Sequence, residues 1–212
     1  MAKAKRRSAP RGASKPVSNP RSDEDRIVDA ALRLIAENGW RHTTLAEIGA
    51  AAGLSLAATL PRFPTRGHVL AAFQRRLDRA TLAAPVEGDA SIRDRLFDLF
   101  MRRFDALQKE RAAVTRLARE LPRDPCAVLG MAPGMCGGVR AIAETAGVDT
   151  AGPFGALRLQ ALAAAYAWAL RSFLDDDSAD LARTMKSLDR ALARLEMLAR
   201  SWPGARPSSE AA

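Results

Sequence analysis

The segment from Thr44 to Ser55 constrains the fold more than any other part of the chain, because it carries signals to start, end and restart a helix. Thr44 and Glu47 have the spacing of a capping box, in which a hydroxyl and a carboxylate satisfy free N–H groups of a first helical turn. Gly53 can adopt the positive φ that ends a helix, and Ser55 can cap the next one. A short helix, a tight turn and another helix are therefore predicted, the arrangement that places a helix in the major groove of DNA.

A helix is also predicted before this motif, with acidic residues at its start and Asn38-Gly39 at its end. Its apolar positions recur at helical spacing and comprise Ile27, Val28, Ala31, Leu34 and Ile35. The whole chain is 48% apolar and only 5% aromatic, and Ala, Leu and Arg are abundant, which favours helix over strand. We therefore expect an all-α protein.

Residues 1–21 form a strongly basic segment that precedes the first acidic residue, Asp23. Seven of its side chains account for most of the formal net charge of +9: Lys3, Lys5, Arg6, Arg7, Arg11, Lys15 and Arg21. A segment so rich in charge, Pro, Ser, Ala and Gly cannot bury enough apolar surface to fold, so we expect a disordered arm. Such an arm can add phosphate contacts beside a DNA-binding module, or can act only as a solubilising tail.

Residues 24–80 resemble the N-terminal domain of the TetR family of one-component bacterial repressors, in the runs IVDAALRLIAENGWRHTTLAEIGAAAGLS, RFPTR and GHVLAAFQRRLDRA. This resemblance implies an all-α homodimer with a TetR-like fold. Each subunit of such a homodimer has an N-terminal three-helix helix-turn-helix domain, a connecting fourth helix and a larger helical domain for ligand binding and dimerisation. On that basis we expect the DNA-binding domain and connecting helix over residues 22–82, the second domain over residues 91–200, and a flexible tail over residues 201–212.

The predicted recognition helix departs from the family pattern. Family members commonly have Gly-Thr-Leu-Tyr before Phe-Pro-Ser-Lys, whereas residues 57–60 here are Ala-Ala-Thr-Leu and residues 63–66 are Phe-Pro-Thr-Arg. Leu60 cannot donate to phosphate, and Pro61 is expected to end the helix after about a turn and a half. Arg62 is then the best candidate for contact with a base edge or a phosphate. The candidate DNA contacts are Arg41, His42, Thr44, Ser55, Thr59, Arg62 and Arg66, of which Thr44 and Ser55 would cap helices with or without DNA.

The C-terminal part is expected to consist of amphipathic helices: one starting at Ser91, a shorter one over residues 111–121, and two long ones separated at residues 175–178. Between them, Pro133 and the nearby glycines are expected to break a helix. Aromatic side chains and flexible methionines can line an adaptable apolar pocket here, although packed core is the commoner role for a methionine. The candidate pocket residues are Phe97, Phe100, Met101, Phe104, Met131, Met135 and Tyr166.

A second resemblance covers the C-terminal half, in the runs RDRLFDLFMRRFDAL and LRLQALAAAYAWALRSFLDDDSADLARTMKSLDRAL. They resemble the lipid-binding accessory protein of coenzyme Q (ubiquinone) biosynthesis, a TetR-like fold that does not act as a repressor. That resemblance implies an apolar pocket for an isoprenoid lipid and a partner hydroxylase. The terminal SWPGARPSSEAA is too short for the membrane-contacting helix of that family. Two functions thus remain open: a DNA-binding regulator controlled by a small hydrophobic ligand, and a lipid carrier.

Enzymatic function is not indicated by the residues available. The chain has two histidines and one tyrosine, and it lacks a glycine-rich phosphate loop. Cys126 and Cys136 lack the spacing of metal ligands, and the acids at residues 175–180 suit the start of a helix. We therefore expect no catalysis, no metal and no cofactor.

The expected partners follow from the same patterns. No apolar run approaches the roughly 20 residues that cross a bilayer, so we expect a cytoplasmic protein without stable membrane insertion. We expect it to bind DNA, and to form a homodimer through its last two helices. The third expected partner is a small hydrophobic ligand or an isoprenoid lipid.

Overall fold

The computed structural model describes residues 22–201, except for the side chains of Pro153, Arg200 and Ser201. Within these residues the chain forms nine α-helices and one 3₁₀ turn, so the predicted all-α fold is confirmed. The helices are α1 (Asp23–Asn38), α2 (Leu45–Ala51), α3 (Leu56–Thr59), α4 (Arg66–Thr81), α5 (Ile92–Gln108), α6 (Arg111–Glu120), α7 (Pro125–Thr145), α8 (Gly152–Leu174) and α9 (Ala182–Ser201), with the 3₁₀ turn at Leu121–Arg123. The predicted basic arm and the tail after residue 201 lie outside the described residues.

The first four helices form a small domain around α1. Ser22 caps α1, since its hydroxyl accepts a hydrogen bond of 3.1 Å from the Asp25 N–H. The apolar face of α1 packs against α2 and α4. The largest fully buried aliphatic side chains of this domain are Ile27, Ile35, Ile48 and Leu70. Burying each contributes about 1.5–3 kcal/mol relative to exposure, which fixes α2 and α4 against α1.

Residues 125–145 form one continuous helix, so the predicted break at Pro133 is wrong. Glycines recur at every fourth residue from Gly130 to Gly138 and face α4. A Cβ at Gly130 would lie 3.7 Å from the Cα of Gly67, and a Cβ at Gly138 would lie 2.5 Å from the carboxylate of Asp78. The glycines therefore let α4 approach closely, and this packing offsets the hydrogen bond that Pro133 removes.

Among the described residues, α7 is the one helix that is long and apolar enough to cross a membrane. This finding differs from the expectation that the chain has no apolar segment of that length. Its most apolar window has a mean hydropathy of 1.4, and 28% of that window is buried. Its packing against α4 is also that of an ordinary helix in a helical domain. Length and composition in one such helix are weak evidence for a membrane span.

The last two helices pack against each other and carry large apolar side chains at the surface. Trp168 on α8 is 61% exposed and Met197 on α9 is 64% exposed. Leu157 and Met185 are also exposed. An apolar surface of this kind on neighbouring helices is characteristic of a protein–protein contact.

The predicted acidic cap of α9 includes one buried carboxylate. Asp176 is 2% exposed and accepts hydrogen bonds from the N–H and hydroxyl of Ser178, at 3.2 and 2.5 Å, and of Thr184, at 2.7 and 2.8 Å. Burial opposes the charged form and is the largest single effect. The four hydrogen bonds together outweigh it and hold the pKa of Asp176 at about 2. This carboxylate therefore ties the α8–α9 linker to the first turn of α9.

Replacing Asp176 by asparagine is expected to lower the free energy of unfolding at neutral pH by about 1–2 kcal/mol. The folded-state pKa lies below the ordinary value of 3.8. The wild-type carboxylate therefore stabilises the fold above about pH 4 and loses that contribution as the pH falls toward 2. Urea unfolding should show the difference between wild type and variant shrinking over that range. A pH-independent difference would contradict this role, and Asp177→Asn, at a fully exposed neighbour, is the matched control.

Candidate nucleic-acid interface

The predicted capping box closes the exposed N-terminus of α2. The Thr44 hydroxyl accepts a hydrogen bond of 3.2 Å from the Glu47 N–H, and the Glu47 carboxylate accepts one of 2.8 Å from the Thr44 N–H. The hydrogen bonds from the backbone and side chain of Thr44 lower the pKa of Glu47. Thr44 is exposed, so α2 presents a fixed hydroxyl at the surface of the domain.

The crossing of α2 and α3 depends on Gly49 and Thr59. A Cβ at Gly49 would lie 2.6 Å from the Thr59 hydroxyl oxygen, so only glycine permits this approach. Thr59 is fully buried, and its hydroxyl donates to the Ser55 carbonyl at 2.9 Å. In this structure Thr59, predicted as a DNA contact, is therefore not available at the surface, because its hydroxyl is buried and its donor is used inside the domain.

The predicted recognition helix, α3, ends at Thr59, as the position of Pro61 predicted. Ser55 caps it, with its hydroxyl accepting a hydrogen bond of 3.2 Å from the Ala58 N–H. Leu56 and Leu60 are 42% and 43% exposed, and Ala57 is also exposed. The exposed part of α3 thus consists of one hydroxyl and three apolar side chains.

Arg62 follows directly and supplies the charge that α3 lacks. Its side chain is 52% exposed and its guanidinium lies 3.4 Å from the carboxylate of Asp23, at the start of α1. It also donates to the Ala58 carbonyl at 3.4 Å. Exposed ion pairs contribute about 0–1 kcal/mol. Arg62 is therefore held loosely in place and can exchange Asp23 for another anion.

Arg66, also predicted to contact DNA, is turned into the protein. Its guanidinium lies 4.4 Å from the centre of the Trp40 ring and donates to the carbonyls of Trp40 and Thr43, each at 2.7 Å. It also pairs with Asp124 at 3.2 Å. These contacts use most of its donors, so in this structure Arg66 holds the α1–α2 turn rather than extending toward solvent.

Asp124 completes a contact between the two helical domains, and we call Trp40, Arg66 and Asp124 the interdomain latch. The Asp124 carboxylate accepts hydrogen bonds from the Ala127 N–H at 3.0 Å, the Trp40 indole N–H at 2.9 Å and Arg66 at 3.2 Å. The first two lower the pKa of Asp124, with a smaller contribution from the Arg66 charge. One carboxylate therefore caps α7 and binds the N-terminal helical domain at the same time.

Glu120 makes a second contact between the domains. Its carboxylate accepts a hydrogen bond of 3.0 Å from the Arg41 N–H. A Cβ at Gly39, which has φ +85°, would lie 2.7 Å from the same carboxylate. The side chains of Arg41 and His42 remain exposed beside this contact. Of the seven predicted DNA contacts, five are thus exposed, whereas Thr59 and Arg66 are engaged inside.

Three of the seven predicted pocket residues pack against one another in the core of the second domain. Phe100 and Phe104 are fully buried and stack on Tyr166, with ring centres 5.5 and 5.4 Å apart. The other four, Phe97, Met101, Met131 and Met135, are half-buried. Two cavities, of about 590 and 230 Å³, lie where the domains meet, and none of the seven residues lines either. A ligand among the three stacked rings would first have to separate them.

A buried arginine lies beside this aromatic cluster. Arg103 is 2% exposed and pairs with Asp78, donates to Gln74 at 2.7 Å, and donates to the Tyr166 hydroxyl at 3.3 Å. Burial raises the pKa of Tyr166, so its hydroxyl is neutral. Asp78 and Gln74 both belong to α4, so Arg103 fastens the connecting helix to α5 and α8.

Sequence reasoning missed Trp40, Asp78, Arg103, Glu120 and Asp124. The one available signal was Asp124-Pro125, because an acid before a proline is typical of a helix N-terminus. That signal identifies a cap but not its partners, which lie 84 and 58 residues away in the chain.

Comparison with known proteins agrees with this geometry. Residues 27–73 match the model of the bacterial regulatory proteins of the tetR family. The fold is similar to the crystal structure of the TetR transcriptional regulator from Nitrosomonas europaea ATCC 19718, with a TM-score of 0.66 and 21% identity over 82% of this chain and 98% of that one.

A TetR transcriptional regulator from Rhodococcus sp. RHA1 is also similar, with a TM-score of 0.62 and 16% identity over 82% of this chain and 94% of that one. No curated protein sequence matches the chain. At these identities the solved structures establish the fold alone. Over residues 27–73 the chain is therefore similar to the bacterial regulatory proteins of the tetR family, within a helical fold similar to that of TetR transcriptional regulators.

Proposed function

We propose that the protein is a cytoplasmic, homodimeric DNA-binding transcriptional regulator whose DNA affinity is controlled by a small ligand. The observation that carries this proposal is the exposure of Thr44, Ser55 and Arg62 on a complete helix-turn-helix. Hydroxyls at helix starts suit phosphate oxygens, and the arginine fork suits guanine or phosphate. The function is one of binding, and no catalytic step is proposed.

The composition of α3 indicates how such a regulator would read DNA. Leu56, Ala57 and Leu60 cannot donate hydrogen bonds to base edges, but exposed apolar side chains can contact the methyl group of thymine. Arg62 is then the main source of hydrogen-bonded base recognition, and phosphate contacts supply most of the affinity. The expected operator is therefore read weakly per half-site, and specificity depends on two domains binding together.

Replacing Arg62 by alanine is expected to lower operator affinity by about 1–3 kcal/mol and to relax sequence preference. Fluorescence anisotropy with a duplex selected from genomic DNA, and with its scrambled version, measures both effects. Arg79→Ala, at an exposed position in the last turn of α4, is the matched control for loss of positive charge. Equal binding to the two duplexes by wild type and variant alike would refute the proposed function.

The dimer is proposed to form through the exposed apolar surface of α8 and α9, which would pack with its copy as a four-helix bundle. Replacing Trp168 by glutamate places a charge in that contact and is expected to convert dimers to monomers, as measured by light scattering. Leu129→Glu, at a 73% exposed site on α7, is the matched control and should stay dimeric. A monomeric wild-type protein, or a dimeric Trp168 variant, would contradict this interface.

A lipid carrier is the alternative function. Leu60 in place of the usual tyrosine, followed by Pro61, would favour it, as would the aromatic core of the second domain. The family model and the similar structures both describe regulators, which favours DNA binding. Organic extraction of purified protein, followed by mass spectrometry, would detect a bound isoprenoid lipid if the alternative were correct.

A further inference from the structure

A cavity of about 590 Å³ lies between the DNA-binding domain and the second domain. One wall is formed by α1 and the end of α2, and the other by residues 109–113, where α5 gives way to α6. Small-molecule sites commonly have volumes of about 300–1,000 Å³ and often lie between domains. We call this cavity the interdomain groove.

The apolar part of the groove is lined by small side chains from both walls. Six of the lining residues are alanines: Ala30, Ala36, Ala51, Ala52, Ala112 and Ala113. Ala30, Ala52 and Ala113 are buried, whereas Ala112 is exposed at the opening. The alanine methyl groups thus form a small apolar part of the floor, and most of the remaining accessible lining is polar.

The carboxylates of the groove are already paired. Arg76 bridges the two walls, with its guanidinium 2.5 Å from Asp29 on α1 and 3.3 Å from Glu110 at the start of α6. Burial raises the pKa of Glu110, and the Arg76 charge opposes that shift. Arg26 pairs with Asp23 and donates to the Ala52 carbonyl, so it too is engaged.

Two cations of the groove are left without an anionic partner among the described residues. Arg33 projects from α1 and Lys109 from the end of α5, so each wall contributes one. A ligand cation would be repelled by this pair. A neutral apolar ligand would remove both charges from water without compensating them.

We propose that the interdomain groove binds a small organic anion with an apolar body, and that this anion is the effector of the regulator. Arg33 and Lys109 bind the anionic group, and the alanine floor contacts the apolar body. This inference rests on the proposed function only for the effector role. A ligand that touches α1 and α6 together favours one orientation of the DNA-binding domain and thereby changes operator affinity.

The test is a fluorescence titration of the full-length protein with anilinonaphthalene sulfonate, an aromatic sulfonate of suitable size and charge. Wild type should bind one probe per protomer. Ala112→Trp should fill the groove, and Arg33→Glu with Lys109→Glu should repel the sulfonate, each weakening binding by about tenfold or more. The double variant Arg33→Glu with Lys109→Glu changes only exposed side chains. It therefore still tests the site if Ala112→Trp disturbs folding.

Matched controls lie outside the groove: Ala80→Trp for added bulk, and Arg79→Glu with Arg116→Glu for reversed charge. Both controls should bind the probe like wild type. Probe binding that survives in both groove variants, or that falls equally in the controls, would overturn the proposed site.

Operator affinity is then measured with and without the probe. The effector role requires a shift in wild type that is absent in the charge-reversed groove variant. A bound probe that leaves operator affinity unchanged would overturn the effector role alone. Failure to find any operator would refute the proposed function, while the probe titration, which contains no DNA, would still decide the site.

Discussion

Replacement of Arg103 by alanine is expected to lower the free energy of unfolding by about 3 kcal/mol, because it leaves the carboxylate of Asp78 without its partner. Asp78 is 23% exposed, so water recovers part of the lost interaction. The substitution would also remove the hydrogen bonds of Arg103 to Gln74 and Tyr166. The connecting helix α4 would then lose its polar attachment to α5 and α8, whereas its ion pairs through Arg66 and Arg76 would remain.

Urea unfolding followed by circular dichroism measures this loss. Arg140 pairs with Glu144 at the surface of α7, so Arg140→Ala should cost less than about 1 kcal/mol and is the control. Arg103→Met combined with Asp78→Asn should recover much of the stability, because no unpaired charge remains. If Arg103→Ala cost no more than the control, the ion pair would not fasten α4.

Replacement of Trp40 by alanine is expected to cost about 3–5 kcal/mol, the usual range for a buried aromatic side chain. Trp40 is 1% exposed, supports the Arg66 guanidinium, and donates to Asp124 across the domain boundary. Its loss therefore removes both apolar burial and the centre of the interdomain latch. Operator affinity should fall as well, since Arg66 binds the carbonyl of Thr43, next to Thr44.

Two further variants separate packing from the latch. Trp40→Phe keeps a ring but loses the indole N–H, and Asp124→Asn keeps a helix cap but loses the charge that Arg66 binds. Each should cost about 1 kcal/mol in urea unfolding and should weaken operator binding. Leu129→Ala, at the exposed face of α7, is the control and should change neither. Normal operator affinity in both latch variants would show that the latch does not position the DNA-binding surface.

The parts of the fold that depend on neighbours in sequence were predictable. The capping box at Thr44, the cap at Ser55 and the end of α3 before Pro61 all follow from residues within one or two turns. The starts of α5 and α9 are likewise marked by local polar residues. For this reason the helix-turn-helix could be identified before any three-dimensional information.

Features that depend on a distant partner were not predictable. Pro133, Gly134 and Gly138 indicate a broken helix when read alone, but α4 packs against the two glycines and α7 is continuous. In the sequence Thr59 has the pattern of an exposed hydroxyl, whereas in the structure Gly49 lets α2 cover it. In the sequence Arg66 has the pattern of a phosphate ligand, whereas in the structure it pairs with Asp124. Local sequence patterns do not specify which distant residues come into contact.

The glycine-lined contact between α4 and α7 has a mechanical consequence. Interlocking ridges of side chains normally fix how far one helix can shift along another, and between Gly130 and Gly138 the ridge on α7 is missing. Sliding of α7 along α4 is therefore opposed chiefly at one end, where Asp124 before the first residue of α7 pairs with Arg66 on α4. Loosening this end is expected to permit a small shear between the two helices, which would carry the α1–α2 turn with it.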